Sequence, residues 1–309
     1  MKALIGLQRF SFPVVSAAQV ALIVGKIIRG GSLPKNTRST RSKENFRAIV
    51  TPTDVAAQEL IILLLSALHP EAKFLAEEKT ERYSNLLLST GRNDPNYVFS
   101  FDGLRFDVDS IDGTAMQALG LPDWSVAIAV WEDDKLIAGV VYMPEIRGGT
   151  LVIGEIGKGV LWLEEDGGIE REPKQDQTRV WYWGADLDLL PLFNQVKNEL
   201  ATKTRRLLTA NSGSMALAMI ACGIADGVIQ DHQAIWDITP GMAIINALGG
   251  KVILYRHEVH RQARRIIRLE NLDEISYRRT KTNVRRTALI ATRDSQQAEK
   301  LWKILEKIR

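Results

Sequence analysis

Hydrophobic residues recur with two different periods along the chain, and each period predicts a type of element. Helical spacing runs through residues 10–25 and again through residues 54–69, where Asp54 is predicted to be the N-cap. Two β-branched runs, 124–131 and 136–142, are separated by a short polar segment, which is typical of an antiparallel hairpin. The first half of the chain is therefore predicted to combine helices with antiparallel sheet.

Shorter patterns extend this prediction to the rest of the chain. The predicted strands cover 73–76, 98–108, short segments within 148–163, 180–183, 226–230, 251–254 and 288–291. The predicted helices cover 189–200, 213–222, 238–248 and 295–308. The second half alternates strands with helices, which is typical of an α/β arrangement. The polar segment 164–178 is predicted to separate an N-terminal α+β domain, residues 1–177, from a C-terminal α/β domain, residues 178–309.

The composition is that of a soluble globular protein. Of the 309 residues, 45% are apolar and 25% are charged, which excludes a disordered or fibrous chain. The net charge of +3 is too small to indicate a nucleic-acid or membrane partner by itself. The single cysteine, Cys222, cannot form an internal disulfide, so a reducing, cytoplasmic location is predicted. Residues 10–25 are apolar like a signal peptide, but polar interruptions and short length favour an amphipathic helix packed on the body.

Acidic side chains stand at the ends of several predicted elements. They are Asp54, Glu77, Glu78, Asp109, Asp112 and Asp237. Charged groups flanked by apolar runs are costly unless they are paired or bind a metal. Each of them also has a structural interpretation on its own, as a helix cap, a solvated loop residue or a strand end. Their significance therefore depends on whether they act together.

The segment 109–114, Asp-Ser-Ile-Asp-Gly-Thr, concentrates candidate chemistry within one turn. Gly113 allows a sharp turn after a strand, so both carboxylates and the Ile111 carbonyl could point to one place. Hard oxygen ligands suit Mg²⁺, which keeps several waters and completes its shell with substrate phosphate. The amides of Gly113 and Thr114, at the start of a predicted helix, would face an anion. The segment therefore predicts a cation site beside a phosphate site.

Four strings in a fixed order extend this pattern over the chain. They are Thr51-Pro-Thr-Asp54, Leu75-Ala-Glu-Glu78, Asp109-Ser-Ile-Asp-Gly-Thr114 and Trp236-Asp-Ile-Thr-Pro-Gly241, with shorter matches at Gly139-Val-Val-Tyr-Met-Pro144 and Gly213-Ser-Met-Ala-Leu217. Together they resemble the inositol monophosphatase family, whose strings run approximately V-T-x-x-D, G-E-E, D-P-I-D-G-T and W-D-x-A-A-G. That family lies in a superfamily of lithium-sensitive, Mg²⁺-dependent phosphatases with the fructose-1,6-bisphosphatases and the 3'-phosphonucleotide phosphatases.

The resemblance implies a fold, an assembly and a metal centre. The fold would be a layered αβαβα sandwich, and the protein would be a homodimer that hydrolyses small-molecule phosphate esters. Two or three Mg²⁺ ions, for which Mn²⁺ could substitute, would occupy the site. Their ligands would be Glu77, Asp109, the Ile111 carbonyl, Asp112 and Asp237. Most ligands would come from the N-terminal domain, and the C-terminal domain would supply Asp237 and substrate contacts.

The resemblance also implies catalytic and substrate-binding roles. Glu77 and Thr114 would position the attacking water, and Asp54 would accept the proton of the Thr114 hydroxyl. The substrate would be contacted by Gly113, Thr114, Ser214 and Gln230.

Departures from the family strings leave the substrate open. Ser110 stands where the family has proline, which loosens the turn without removing a ligand. Inositol phosphatases have a Glu and a His before the tryptophan of the fourth string, where this chain has Gln230 and Ala234. That Glu contacts inositol hydroxyls in the family. The substrate could therefore be an inositol phosphate, a sugar phosphate, fructose-1,6-bisphosphate or a 3'-phosphonucleotide.

A second interpretation is an interaction protein on the same fold with vestigial catalysis. Residues 256–286 hold ten Lys or Arg against four Asp or Glu, a net charge of +6, and could bind RNA or an acidic partner. Aromatic residues are nearly missing from this stretch, so a solvated basic surface is the favoured interpretation. Retention of the acidic ligands favours catalysis.

Overall fold

The structure is a computed structural model that describes most of the chain. The described residues are 6–33, 40–41, 49–78, 80–88, 102–165, 180–184, 196, 206–209, 211–260, 263–270, 272 and 287–307. The helices are α1 (Phe12–Arg29), α2 (Pro52–Leu68), α3 (Thr114–Ala118), α4 (Gly213–Ala221), α5 (Ile235–Ala247) and α6 (Ser295–Leu305). The strands are β1 (Thr40–Arg41), β2 (Ile49–Val50), β3 (Lys73–Ala76), β4 (Leu104–Asp112), β5 (Ser125–Glu132), β6 (Lys135–Met143), β7 (Thr150–Glu155), β8 (Gly159–Glu164), β9 (Val180–Gly184), β10 (Arg206–Leu208), β11 (Gly227–Gln233), β12 (Lys251–His260), β13 (Ala263–Arg268) and β14 (Thr287–Thr292).

Five layers stack in the order helix, sheet, helix, sheet, helix. Sheet 1, in the order β3-β4-β5-β6-β7-β8, packs against α1 and α2 on one face and α4 and α5 on the other. Sheet 2, in the order β10-β9-β11-β14-β12-β13, lies on the far side of α4 and α5, and α6 covers its outer face. Alternate residues of each strand enter opposite cores, as the pleat of a strand requires. This arrangement confirms the predicted αβαβα sandwich.

The strand directions confirm the predicted hairpin and show that both six-stranded sheets are mixed. Sheet 1 is antiparallel from β4 to β8, including the predicted β5–β6 hairpin, and only β3 and β4 run parallel. Sheet 2 is parallel across β10, β9 and β11 but antiparallel across β11, β14, β12 and β13. In the described residues the second half alternates strands with helices, as predicted, and its sheet is mixed rather than purely parallel. The order of strands and helices along a chain does not determine which strands become neighbours.

Three predicted element ends lie elsewhere in the structure. The N-cap of α2 is Thr51, and Asp54 is the third helical residue, so the prediction of Asp54 as the cap is wrong. Helix α5 begins at Ile235, three residues before its predicted start, which places Asp237 inside its first turn. Strand β4 continues past Asp109 to Asp112. Each shift moves a candidate carboxylate from the end of an element into its interior.

Helix α1 packs on sheet 1 through its apolar face. It is long and apolar enough to cross a membrane by length and composition, and half of it is buried against the protein. Gly25 lies against the ring of Tyr142. Arg29 donates hydrogen bonds of 2.7 Å to the carbonyls of Pro144 and Gly148, in the connection between β6 and β7. The packing agrees with the predicted amphipathic helix on the body.

Several sequence predictions lie outside the described residues. They concern most of the helix 189–200, the domain boundary 164–178 beyond residue 165, the first part of the strand 98–108, up to residue 101, and most of the basic stretch 256–286. The division into domains stays a prediction.

Candidate active site

Strand β4 carries three carboxylates, those of Asp107, Asp109 and Asp112. Phe106 and Val108 pack toward α1 and α2, so Asp107 and Asp109 face α4 and α5. The register with β5 shifts between Asp109 and Asp112, and an irregularity of this kind re-aims the side chains beside it. Asp109 and Asp112 are 2% and 6% exposed. One strand end thereby carries two buried carboxylates.

The turn after β4 requires a glycine. Gly113 has a left-handed φ of 98°, and a Cβ at this position would lie 2.5 Å from the carbonyl oxygen of Asp123. A larger residue would therefore be strained and would collide with backbone. Helix α3 begins directly after this turn, at Thr114, so the turn sets where the Thr114 hydroxyl lies.

The third carboxylate comes from the first turn of α5. Asp237 accepts a 2.8 Å hydrogen bond from the backbone N–H of Ala234, which supports the start of the helix. Carboxylate oxygens of Asp109, Asp112 and Asp237 all lie within 4.8 Å of one another. This trio surrounds one point with hard oxygen donors, and three such donors fit a divalent cation.

Burial and mutual repulsion oppose the ionisation of the three carboxylates of the trio. Burial raises the pKa of Asp112 to about 7 and that of Asp237 to about 6. Burial, and then the charges of Glu77, Asp112 and Asp237, raise the pKa of Asp109 well above its usual range. Buried carboxylates that oppose one another's ionisation are stabilised by a cation between them. The donor set and its electrostatics therefore fit Mg²⁺.

The start of helix α4 is bound to Asp112. The Ser212 hydroxyl donates to Asp112 at 2.8 Å, and the backbone N–H groups of Gly213 and Ser214 donate to it at 3.2 and 2.6 Å. The Ser214 hydroxyl donates to the carbonyl of Asp237 at 2.8 Å. Ser214, a predicted substrate contact, is thus placed next to the trio, and α4 joins the two elements that carry it.

Asp54 lies beside Thr114. The Thr114 hydroxyl is 2.8 Å from Asp54 Oδ1 and 3.0 Å from the Ile111 carbonyl, so its one proton can go to either oxygen. Asp54 Oδ2 accepts from the Thr51 N–H at 2.8 Å and from the Thr51 hydroxyl. Burial raises the pKa of Asp54, and the hydrogen bonds from Thr51 and Thr114 oppose that rise. The Thr114 hydroxyl is therefore within hydrogen-bond distance of the Asp54 carboxylate.

Ser110 makes a contact that proline could not make. Its hydroxyl donates to the carbonyl of Asp54 at 2.9 Å, and the side chain is 2% exposed. The residue that departs from the family string therefore ties β4 to the first turn of α2.

Glu77 and Glu78 follow β3 at the rim of the site. Gln58 fixes them to α2, because its amide donates to the Glu78 carbonyl at 2.7 Å and accepts from the Glu78 N–H at 2.8 Å. The Glu77 side chain is exposed, yet the protein crowded around it, and then the charge of Asp237, raise its pKa. Burial, and then the charge of Asp54, raise the pKa of Glu78 to about 7. The charges of Glu77 and of the trio thus raise one another's pKa, although Glu77 is not among the three residues whose oxygens lie within 4.8 Å of one another.

No described hydrogen bond joins Gln230 to the other predicted site residues. It lies on β11 on the face toward α4, 1% exposed, and its side-chain carbonyl oxygen has no hydrogen-bond partner among the described residues. The described contacts do not join it to the trio. Sequence reasoning also missed Thr51 and Ser212, which cap α2 and α4. A Ser or Thr directly before an apolar helical run was the available signal.

Comparison with known proteins identifies a family that matches nearly the whole length of the chain. A family model described as the inositol monophosphatase family matches residues 13–308. The chain is 27% identical over 241 residues to Inositol monophosphatase 2 of Mus musculus, covering 77% of this chain and 78% of that protein. It is 24% identical over 214 residues to Fructose-1,6-bisphosphatase/inositol-1-monophosphatase of Thermotoga maritima, covering 69% and 74%.

A solved structure has a similar fold over nearly the whole chain. The extragenic suppressor protein suhB from Bartonella henselae matches with a TM-score of 0.66 and 21% sequence identity, covering 96% of this chain and 99% of that one.

Proposed function

Because the chain belongs to the inositol monophosphatase family, a family of phosphatases, we propose that it is a Mg²⁺-dependent hydrolase of small phosphorylated polyols. The observation that carries the proposal is the trio Asp109, Asp112 and Asp237, whose carboxylate oxygens lie within 4.8 Å of one another. Directly beside it are the Gly113 turn and the Thr114 hydroxyl. A cation site next to backbone N–H donors is what hydrolysis of a phosphate ester needs.

The roles proposed for the individual residues come from the family resemblance and are consistent with their contacts. Glu77, the trio and the Ile111 carbonyl would hold two or three Mg²⁺ ions, with Mn²⁺ as a substitute. The chemistry that the cations supply when bound is charge neutralisation and activation of water. Asp54 would take the Thr114 proton, which leaves the Thr114 oxygen free to accept a hydrogen bond from the attacking water together with Glu77. The amides of Gly113 and Thr114 would hold phosphoryl oxygens.

The alcohol part of the substrate is proposed to meet Ser214 and Gln230. A buried carbonyl oxygen without a partner is costly, and a substrate hydroxyl would supply the missing donor to Gln230. The glutamine is neutral where inositol phosphatases have a Glu, so inositol phosphate, other sugar phosphates and fructose-1,6-bisphosphate are all candidates. A 3'-phosphonucleotide is the alternative substrate.

Phosphate release from a panel of esters tests the proposal. The panel contains an inositol phosphate, hexose phosphates, fructose-1,6-bisphosphate and a 3'-phosphonucleotide, each assayed with Mg²⁺, with a chelator and with Mg²⁺ plus Li⁺. We expect turnover of at least one polyol phosphate that requires Mg²⁺ and that Li⁺ inhibits. If no ester is hydrolysed in a Mg²⁺-dependent way, the interaction protein with vestigial catalysis becomes the better description.

Replacing Thr114 with valine should separate proton chemistry from cation binding. The hydroxyl that Asp54 holds at 2.8 Å is lost while the shape is kept, so we expect kcat to fall by about 10²- to 10³-fold. Calorimetric Mg²⁺ binding should be nearly unchanged, because no trio residue is altered. Thr114→Ser keeps the hydroxyl and is the matched control, which should keep most of the activity. Equal activity of the valine and serine variants would remove Thr114 from the mechanism.

Further properties complete the proposed function. We propose a cytoplasmic homodimer, on analogy with the family rather than on a described contact. The basic stretch 256–286 is proposed to be a solvated surface; within its described part, Arg268 pairs with Glu299 of α6 at 2.9 Å.

A further inference from the structure

A buried polar network lies directly behind the trio. Asp107 precedes Asp109 by two residues on the same face of β4, and its Oδ1 forms an ion pair with Arg105 Nε at 2.7 Å. Both side chains are almost fully buried, with exposures of 0% and 2%. Asp107 Oδ2 lies 2.7 Å from Trp131 Nε1 and 3.0 Å from the Thr239 hydroxyl. Thr239 belongs to α5, so the network links sheet 1 to the helix that carries Asp237.

Strand β4 and helix α5 therefore meet at two carboxylates of β4. Asp109 repels the helix, and Asp107 attracts it. At the first point Asp109 faces Asp237, and two carboxylates repel each other when both are ionised. At the second point Asp107 accepts a hydrogen bond from Thr239, and the charge of Asp107 is balanced by Arg105. The second contact attracts the helix to the strand where the first contact repels it.

Part of the sheet surface under α5 carries no side chain. Gly139 and Gly154 are opposite each other on β6 and β7. A Cβ on Gly139 would lie 1.8 Å from the Pro240 carbonyl oxygen, and one on Gly154 would lie 2.6 Å from the Ile244 Cα. The helix backbone therefore rests directly on two residues without side chains. These two glycines allow close approach, and the neighbouring apolar side chains that pack against α5 form no directional bond to it.

The Thr239 hydroxyl has two acceptors within reach. Besides Asp107 it lies 2.9 Å from the carbonyl of Ile235, in its own helix. One hydroxyl proton serves one strong hydrogen bond, and a buried carboxylate is a stronger acceptor than an amide carbonyl. The proton is therefore directed across the layer to Asp107, and the bond is one between elements.

We propose that the Asp107–Thr239 bond is a positioning contact that holds α5 in the register at which Asp237 shares a cation with Asp109 and Asp112. Asp107 and Thr239 touch neither cation nor substrate in this scheme. They act through the placement of Asp237. The proposal rests on the proposed function, because it assumes that the trio binds Mg²⁺. It assigns a role to a polar network that the phosphatase chemistry itself does not use.

The test replaces the one hydroxyl and leaves the ion pair intact. In Thr239→Val, Asp107 keeps Arg105 and Trp131 as partners, so the fold should persist. Outer contacts that orient ligands typically change metal affinity by about 10- to 100-fold, and we expect a loss near the lower end, about tenfold, by isothermal titration with Mg²⁺. Phosphate release at saturating Mg²⁺ should stay within about threefold of the parent, because the ligands are unchanged.

Two controls separate positioning from simple loss of stability. Thr239→Ser keeps the hydroxyl and should restore parental Mg²⁺ affinity. Thr150→Val makes the same chemical change at a residue that is also fully buried and that bonds the Ile146 carbonyl at 2.8 Å. It should lower the unfolding temperature of the metal-free protein as Thr239→Val does, without altering Mg²⁺ affinity.

The outcomes distinguish this inference from the proposed function. Parental Mg²⁺ affinity in Thr239→Val, or an equal loss of affinity in Thr150→Val, overturns the positioning role alone. A parent protein that binds Mg²⁺ but hydrolyses none of the esters contradicts the proposed function and leaves the binding comparison fully interpretable. A parent protein that binds no Mg²⁺ overturns both.

Discussion

Asp109→Asn is expected to lower kcat by about 10³-fold or more at saturating substrate, because the central carboxylate of the trio loses its charge. Asparagine has nearly the same shape, and its side-chain oxygen can still accept the 3.0 Å hydrogen bond from the Ile111 N–H. The change therefore removes ligand charge with little change of geometry. Phosphate release and calorimetric Mg²⁺ binding should both fall.

The same substitution should stabilise the metal-free protein. The charges of Glu77, Asp112 and Asp237 all oppose the ionisation of Asp109, so a neutral residue removes repulsion from a buried site. We expect the unfolding temperature in the presence of a chelator to rise by about 2–4 °C. A variant that loses activity because it is misfolded would show the opposite shift.

Asp102→Asn is the matched control for this prediction. It makes the same change of charge seven residues earlier, at an exposed position. Activity, Mg²⁺ affinity and unfolding temperature should all stay at the parental values. If Asp109→Asn retains Mg²⁺-dependent turnover, the assignment of the trio as the metal centre is wrong.

The local string 109–114 was sufficient to predict that Asp109 and Asp112 lie beside Gly113 and Thr114, and the family resemblance added Asp237. Asp109, Asp112, Gly113 and Thr114 occur within one turn, so the order of residues alone already brings them close together. The pairing of Asp54 with Thr114 followed from the family resemblance, and the structure places their oxygens 2.8 Å apart. The five-layer fold was predictable for the same reason, since nearly the whole chain matches one family.

Contacts between distant segments could not be predicted in this way. The bonds from Ser212 and Ser214 to Asp112 join residues about a hundred positions apart, and no periodicity in either segment encodes the other. The bond between Asp107 and Thr239 spans 132 positions. In the sequence Asp107 is only one more acidic residue in a strand. Its burial against Arg105 becomes evident once α5 lies on the sheet.

Gly139 shows the same limit for packing. The string that begins at Gly139 was found as a match to the family, but the pattern gave no reason for the glycine. The structure supplies it, because the Pro240 backbone occupies the place of a side chain. The glycine is required by the helix that rests on it rather than by its own backbone conformation.

Gly139→Ala is accordingly expected to destabilise the protein and to weaken Mg²⁺ binding together. The added Cβ would lie 1.8 Å from the Pro240 carbonyl oxygen and 2.7 Å from its carbon. Backbone cannot rotate away as a flexible side chain could, so α5 must move off the sheet. Overpacking of this kind costs about 3 kcal/mol, toward the upper end of the usual range. For a chain of this size the unfolding temperature should fall by about 6–10 °C.

The loss of Mg²⁺ affinity follows because α5 carries Asp237. A shift of the helix by even one ångström separates Asp237 from Asp109 and Asp112, whose oxygens now lie within 4.8 Å of it. Gly30→Ala adds the same methyl group at an exposed, right-handed position, and it should leave both stability and affinity nearly unchanged. Thermal unfolding with and without Mg²⁺ measures both effects at once, since a weaker site gives a smaller rise on adding Mg²⁺. If Gly139→Ala unfolds earlier but keeps the full parental rise, then the depth of α5 on the sheet does not control the metal centre, and Asp237 is positioned from the α4 side instead.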